Sequence, residues 1–313
     1  LHKEIDPGIE VKNLLEQLRR GCIFVADGAL GTMLMERGLE SGRPPESMNL
    51  EQPGVLEEVA REYLDAGADI VQTNTFGASR LKLVQYSLDG QVEQINANAV
   101  AAVKRAVEGR AYVSGSCGPT GEFLRPYGEV EPEEMLSVFE EQIGVLVAHG
   151  VDILCIETMI DLQEATSAVR AARRVSSSVP VMATMTFEQT SRGFYTVMGV
   201  SIRDAVEGLL DAGADIVGSN CGNGIEKMIA IARQMKEHTE VPIIIQANAG
   251  MPIFKDDKVF YPETPEFMAE KAHALLNLGV SIIGGCCGTT PAHIKALREA
   301  MDSWKRQGIL SQD

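Results

Sequence analysis

One pattern recurs along the chain and limits its fold more than any other feature. Asp65-Ala-Gly-Ala-Asp-Ile-Val-Gln-Thr-Asn-Thr75 returns as Asp211-Ala-Gly-Ala-Asp-Ile-Val-Gly-Ser-Asn-Cys221. Looser copies stand at Ala148-His-Gly-Val-Asp-Ile-Leu-Cys-Ile-Glu157 and Asn277-Leu-Gly-Val-Ser-Ile-Ile-Gly-Gly-Cys286. In each copy a helical stretch ends on Gly, which supplies a left-handed helix cap. A short apolar run follows without alternation, as in a strand covered on both faces. Polar residues come next. Further apolar runs at 22–26, 111–114, 180–186 and 241–247 complete eight strands, starting near residues 22, 69, 111, 152, 180, 215, 242 and 281. Helical segments are expected at 54–66, 92–107, 133–148, 162–175, 202–211, 225–236, 266–278 and 291–304. Strict alternation of strand and helix means parallel strands joined by crossovers. Eight such units predict a single (β/α)8 TIM barrel over residues 1–313, with its core at about 15–303. The alternative is an open doubly wound sheet with a second domain, which no linker-like segment supports.

Composition narrows the class. A chain of 313 residues with 45% hydrophobic content can bury a large core. A formal charge of −16 lacks the basic footprint that a nucleic acid or an anionic membrane requires, so neither is expected as a partner. The segment 1–20 carries acids and no apolar run, unlike a secretory leader. The least charged stretch, 272–294, is interrupted by Asn277, four glycines and Pro291, whereas a membrane span needs about 20 predominantly apolar residues. Six cysteines are too sparse for a disulfide scaffold, and a cytoplasmic protein with reduced thiols is the expectation.

Chemistry in such barrels sits at the C-terminal ends of the strands. In strand order these ends carry Asp27-Gly28, Thr73-Asn74-Thr75, Cys117-Gly118, Glu157-Thr158, Thr186, Asn220-Cys221, Asn248 and Cys286-Cys287. Cys221 ends the sixth strand and Cys286-Cys287 end the eighth, so their side chains can meet across a short arc of the rim. Three thiolates at about 2.3 Å would leave one position of a tetrahedral zinc open. Two other readings stand beside this one: small buried hydrophobes, or a redox pair of Cys286 and Cys287 that has no need of Cys221. Cys22 and Cys155, placed within strands, are expected to be packing residues, and Cys117 has no partner in sequence.

Asp27 and Glu157 directly follow apolar strands, where an acid is costly unless paired or solvated. Together they can hold an ammonium group or do acid–base work, while Asp27 alone can also cap a helix starting at Gly28. Gly28 and Gly31 offer backbone N–H groups to an anion. The histidines (His2, His149, His238, His273, His293) fall in helices or the tail, with solvated or capping roles expected.

These segments resemble a known family. Asp27-Gly-Ala-Leu-Gly-Thr32, Gln72-Thr-Asn-Thr-Phe76, Gly118-Pro-Thr-Gly121, Asn220-Cys-Gly222, Asn248-Ala-Gly250 and Gly284-Gly-Cys-Cys-Gly-Thr-Thr-Pro291 are similar to the homocysteine S-methyltransferases, over about residues 15–303. The likeness is greatest to the branch that forms the homocysteine-binding barrel of cobalamin-dependent methionine synthases. The resemblance implies a catalytic zinc on Cys221, Cys286 and Cys287, with the sulfur of L-homocysteine at the open position. It implies that Asp27 and Glu157 bind the ammonium, and that the Gly28 amide and Thr73 lie near the other polar atoms. Asn248 falls where a fourth ligand could stand without substrate. One departure is Ala247, where the family usually has Pro before that Asn.

The chemistry of such a site is coherent. A free thiol, with a pKa of about 8.5, is mostly protonated at neutral pH, and only the thiolate attacks. A metal deprotonates it, and three cysteinates keep the site anionic and the sulfur electron-rich. That favours alkyl transfer to sulfur over hydrolysis. For the donor, Gly77 follows Phe76, the segment 37–45 has no aromatic residue, and the single Trp is Trp304, which argues against the aromatic cage of betaine-using members. The resemblance implies methylcobalamin or another methyl-corrinoid, with a sulfonium donor, another small thiol or selenol acceptor, and a thiol-binding module without turnover as alternatives. A single barrel leaves no room for a cobalamin domain, so a corrinoid protein or domain is expected as partner.

Overall fold

The computed structural model describes residues 14–255 and 258–310. Eight strands form its central sheet: β1 (Phe24–Val25), β2 (Ile70–Gln72), β3 (Tyr112–Cys117), β4 (Ile153–Met159), β5 (Val181–Met185), β6 (Ile216–Asn220), β7 (Ile243–Ala247) and β8 (Ile282–Gly285). Every neighbouring pair is parallel, in the order β1-β8-β7-β6-β5-β4-β3-β2. A parallel bridge between Ala26 and Ile70 joins β1 to β2 and closes the ring. The principal helices are α1 (Pro53–Asp65), α2 (Val92–Val107), α3 (Pro132–Ala148), α4 (Leu162–Val175), α5 (Ile202–Ala212), α6 (Ile225–Lys236), α7 (Pro265–Asn277) and α8 (Pro291–Leu310). The fold is the expected (β/α)8 barrel. Among the described residues no helix is long and apolar enough to cross a membrane.

The barrel interior explains where chemistry can sit. Every strand contributes to a buried inner cluster: Phe24, Ile70, Tyr112, Ile153 with Cys155, Met182, Ile216, Ile244 and Ile282. Leu14 and Leu18, from the helix Leu14–Arg19, join this cluster. With a side-chain period of two, the next inward positions on β2, β3, β5 and β7 are Gln72, Ser114, Thr184 and Gln246, and Ser116, Glu157, Asn220 and Cys286 follow. The interior thus turns from apolar to polar toward the C-terminal mouth. Outward residues such as Val25, Val71, Val113, Leu154, Val217 and Ile283 pack with the helices in the main core.

The sequence repeat has a structural cause at the other end. Asp69, Asp152 and Asp215 each precede an even-numbered strand. Their Oδ2 atoms accept from the N–H groups of Val25, Val113 and Val181 at 2.8–2.9 Å. Each Asp N–H returns a bond to the carbonyl of the same valine. Helix cations complete the device: Arg298 reaches Gly67 O and Asp69, Arg173 reaches Gly213 O and Asp215, and Lys104 reaches His149 O. Ser281, in the fourth copy, keeps only the backbone half, through its N–H to Ile243 O at 2.9 Å. The repeat therefore serves strand registration, while the residues at its polar end reach the mouth.

Three features differ from expectation. Cys22 is exposed and outside the strand, because strand pairing begins at Phe24 and Cys22 N–H closes the preceding turn on Gln17 O. Two antiparallel hairpins, Glu188–Thr190 with Gly193–Tyr195 and Ile253–Lys255 with Lys258–Phe260, are inserted after β5 and β7. His293 is buried although it caps a helix as expected: its Nδ1 accepts from Thr290 N–H at 3.1 Å. His2 lies outside the described residues.

Candidate active site

The end of β7 draws the cysteines of β6 and β8 together. Cys221 N–H donates to Gln246 O at 3.2 Å, and Cys286 N–H donates to Ala247 O at 2.8 Å. Ala249 N–H then donates to Cys287 O at 3.0 Å. Ala247 thus ends β7 as a paired residue. Cys221 adopts φ +59°, a left-handed conformation uncommon outside Gly, and one that strained functional turns often use. Gly222 follows at φ +71°, where a Cβ would stand 2.7 Å from Thr186 Cγ2.

As a result the Sγ atoms of Cys221, Cys286 and Cys287 all lie within 4.8 Å of one another, and Cys221 and Cys287 are 3.7 Å apart. All three are free thiols, as are the remaining cysteines. Metal–sulfur bonds of about 2.3 Å in a tetrahedron put sulfurs about 3.8 Å apart, so the spacing fits a shared metal ion. The cluster includes Cys221, which a Cys286–Cys287 redox pair would not require.

Electrostatics agree with that fit. Hydrogen bonds from Cys286 and Cys287 hold the Cys221 thiol well below its ordinary range, while the same contacts with Cys221 push Cys286 and Cys287 up. Three thiols this close share one negative charge easily and three only with a cation among them. Asn248 also helps hold the Cys221 thiol down, and its Oδ1 is buried with no partner among the described residues. An orphaned amide oxygen on a residue near Cys221 suits a fourth ligand. Cys117 and Cys155 are fully buried, burial pushes their thiols up, and neither takes part in the cluster.

A cavity of about 510 Å³ opens beside the sulfurs. Cys221, Cys286, Cys287, Glu157, Thr73 and Gly28 all line it, so the fold brings together most of the residues singled out in sequence. Glu157 stands at a register shift in β4 between Ile156 and Met159, where Thr158 takes φ +60°. Its Oε1 accepts from the Ser116 hydroxyl and its Oε2 from Asn220 Nδ2 at 3.2 Å. No described residue accepts from Gly28 N–H, and a Cβ at Gly28 would meet Thr289 Oγ1 at 2.6 Å. The Thr73 hydroxyl pairs with Thr75 Oγ1 at 2.6 Å. Thr75 donates to Ser116 O, so Thr73 spends its proton on Thr75 and can offer a ligand only an acceptor.

Asp27 is placed differently. It lies with Tyr63, Leu56 and Val59 around a void of about 10 Å³ between β1 and α1, and does not line the larger cavity. Its Oδ2 accepts from Gln72 N–H at 2.7 Å and its Oδ1 has no partner among the described residues. It does not cap a helix, since the nearest one starts at Gly31. Its charge still reaches Glu157.

Residues that strand-end reading missed include Gln72 and Gln246, which the two-residue period along β2 and β7 points to, and the aromatic walls Phe76, Tyr86 and Tyr261. Tyr261 carried no signal, because it follows an inserted hairpin well past the end of β7.

Burial pushes Asp27 up to about 8 and Glu157 to about 7, from ordinary values of 3.8 and 4.5. Both carboxyls therefore bind a proton more tightly in the folded protein than in the unfolded chain. The stability this confers is complete below about pH 4 and is lost as pH rises through about 7 to 8. Urea unfolding of the ligand-free protein should show this loss between pH 5 and 8.5. Asp27→Asn should flatten the slope by about 2–4 kcal/mol over that range. Equal slopes for the two proteins would show that Asp27 is not a strained carboxyl.

Fold and site together define a class: a (β/α)8 barrel whose mouth carries a cluster of three cysteines that can hold a metal beside an acid-lined cavity. The chain matches the family model described as Homocysteine S-methyltransferase over residues 24–301 and belongs to that family. It is 33% identical over 303 residues to the methionine synthase of Mycobacterium tuberculosis (strain ATCC 25618 / H37Rv), covering 91% of this chain and 25% of that protein. It is 32% identical over 308 residues to that of Mycobacterium leprae (strain TN), covering 92% and 25%. The chain thus spans about a quarter of the length of the curated relatives it matches. Among solved structures, the metallated form of the homocysteine methyltransferase MmuM from Escherichia coli shares the fold. Its TM-score is 0.76 at 23% identity, over 91% of this chain and 98% of that one.

Proposed function

We propose that the chain is one homocysteine-binding barrel that moves a methyl group to the thiolate of L-homocysteine, forming methionine. The observation that carries this reading is the convergence of the Cys221, Cys286 and Cys287 sulfurs on a cavity that also holds Glu157. Zinc held by these three cysteines, with Asn248 Oδ1 beside them, would keep the substrate sulfur ionised at neutral pH.

The chain's own residues account for binding and aim. Glu157, fixed by Ser116 and Asn220, pairs with the ammonium, and Asp27, protonated near neutral pH in the empty site, adds its charge from behind Gln72 only where the bound cation favours its ionised form. The free N–H of Gly28 takes a carboxylate oxygen, and Thr73 offers an acceptor. With both ends of the amino acid held, its sulfur is directed toward the cysteines. Its lone pair forms the new S–CH3 bond while the donor keeps the electron pair of the bond it loses.

The relatives named methionine synthase support a methyl-corrinoid donor, carried by a partner protein or domain that meets the barrel mouth. A cytoplasmic location, where thiols stay reduced, belongs to the same reading. A sulfonium donor is the second reading, favoured by Phe76, Tyr86 and Tyr261 on the cavity wall, which suit a cation. Incubation of the zinc-loaded protein with L-homocysteine and methylcobalamin should yield methionine. Methionine from a methylsulfonium amino acid alone would move the assignment to the second donor. Homocysteine binding with no product from either would leave a binding module.

A further inference from the structure

Tyr261 lies against the cysteine cluster and is held there from three directions. Its ring covers the turn after Cys287: Gly288 has φ +78°, and a Cβ there would fall 2.0 Å from Tyr261 Cγ. Both Tyr261 and Cys287 line the large cavity.

The segment that carries Tyr261 is tied to every loop that brings a candidate ligand. Glu263 N–H donates to Ala249 O at 2.9 Å, next to Asn248. Glu263 Oε2 accepts from Ile225 N–H at 3.0 Å, at the start of α6 and just beyond Cys221. Glu263 O bonds His293 Nε2 at 3.0 Å, and His293 Nδ1 accepts from Thr290 N–H, beyond Cys287. Since Nδ1 accepts, Nε2 is the donating nitrogen, and the imidazole is neutral. These bonds fix the phenol relative to β6, β7 and β8 together.

We propose that Tyr261 is a positioning residue of the three-cysteine site, its ring covering the Cys287–Gly288 turn and so fixing where Cys287 Sγ is presented. Residues that hold a ligand in place from outside the ligand set commonly govern metal affinity. The inference rests on the proposed metal site.

Tyr261→Ala removes the ring and Tyr261→Phe keeps it. In chelator competition, the Ala variant should bind zinc about 10–100-fold more weakly than the parent protein. Its cobalt-substituted form should show a shifted thiolate-to-cobalt charge-transfer band, with unchanged far-ultraviolet circular dichroism. The Phe variant should match the parent in affinity and band. An unchanged affinity and band in Tyr261→Ala would overturn the role of Tyr261. Failure of the parent protein to take up any metal would instead overturn the site itself.

Discussion

Serine in place of Cys286 is expected to leave the barrel folded and unable to retain zinc. The three sulfurs lie within 4.8 Å, and removal of one leaves two thiolates and an alcohol that does not ionise near neutral pH. Zinc bound by four ligands gains about 10–16 kcal/mol, so one ligand accounts for about 3–4 kcal/mol, or a loss of about 10²–10³-fold in affinity. Metal content after dialysis against a weak chelator should fall from one ion per chain to near none, and methyl transfer should fall with it. Cys22→Ser supplies the positional control, since Cys22 is exposed and outside the cluster, and should retain full metal. Full zinc content in Cys286→Ser would remove Cys286 from the ligand set.

The second large effect belongs to Glu157. Glu157→Gln preserves size and removes the charge that is proposed to face an ammonium in a buried setting. Truncating one partner of a buried charge pair costs about 2–5 kcal/mol, much of it from the charge left unpaired. The Michaelis constant for homocysteine should rise by about 10²–10³-fold, with zinc content unchanged because Glu157 is not in the cysteine cluster. An unaltered Michaelis constant would show that the ammonium is held elsewhere.

How far the sequence carries depends on the kind of feature. The barrel is legible because its repeat is a physical device: the Asp69, Asp152 and Asp215 carboxylates each bond a valine of the strand immediately before in sequence order. Such a device leaves the same letters at each copy. The cysteine cluster is legible because Cys221 and Cys286-Cys287 stand directly at strand ends, where the topology dictates proximity. Asp27 stands at a strand end too, yet Ala26 takes the inward position on β1, which turns Asp27 toward α1. Position alone named it, and alternation decides its direction. Glu157 takes an inward position by the two-residue period along β4, whereas the register shift and left-handed Thr158 beside it are not readable from spacing. Tyr261, Phe76 and Tyr86 reach the cavity through loops whose paths depend on tertiary contacts.

The most direct test of the central claim is zinc K-edge absorption of the metal-loaded protein with and without L-homocysteine. The account predicts three sulfurs and one nitrogen or oxygen ligand without the amino acid, and four sulfurs with it. A nitrogen or oxygen ligand that persists when homocysteine is bound would contradict a substrate sulfur seated among Cys221, Cys286 and Cys287.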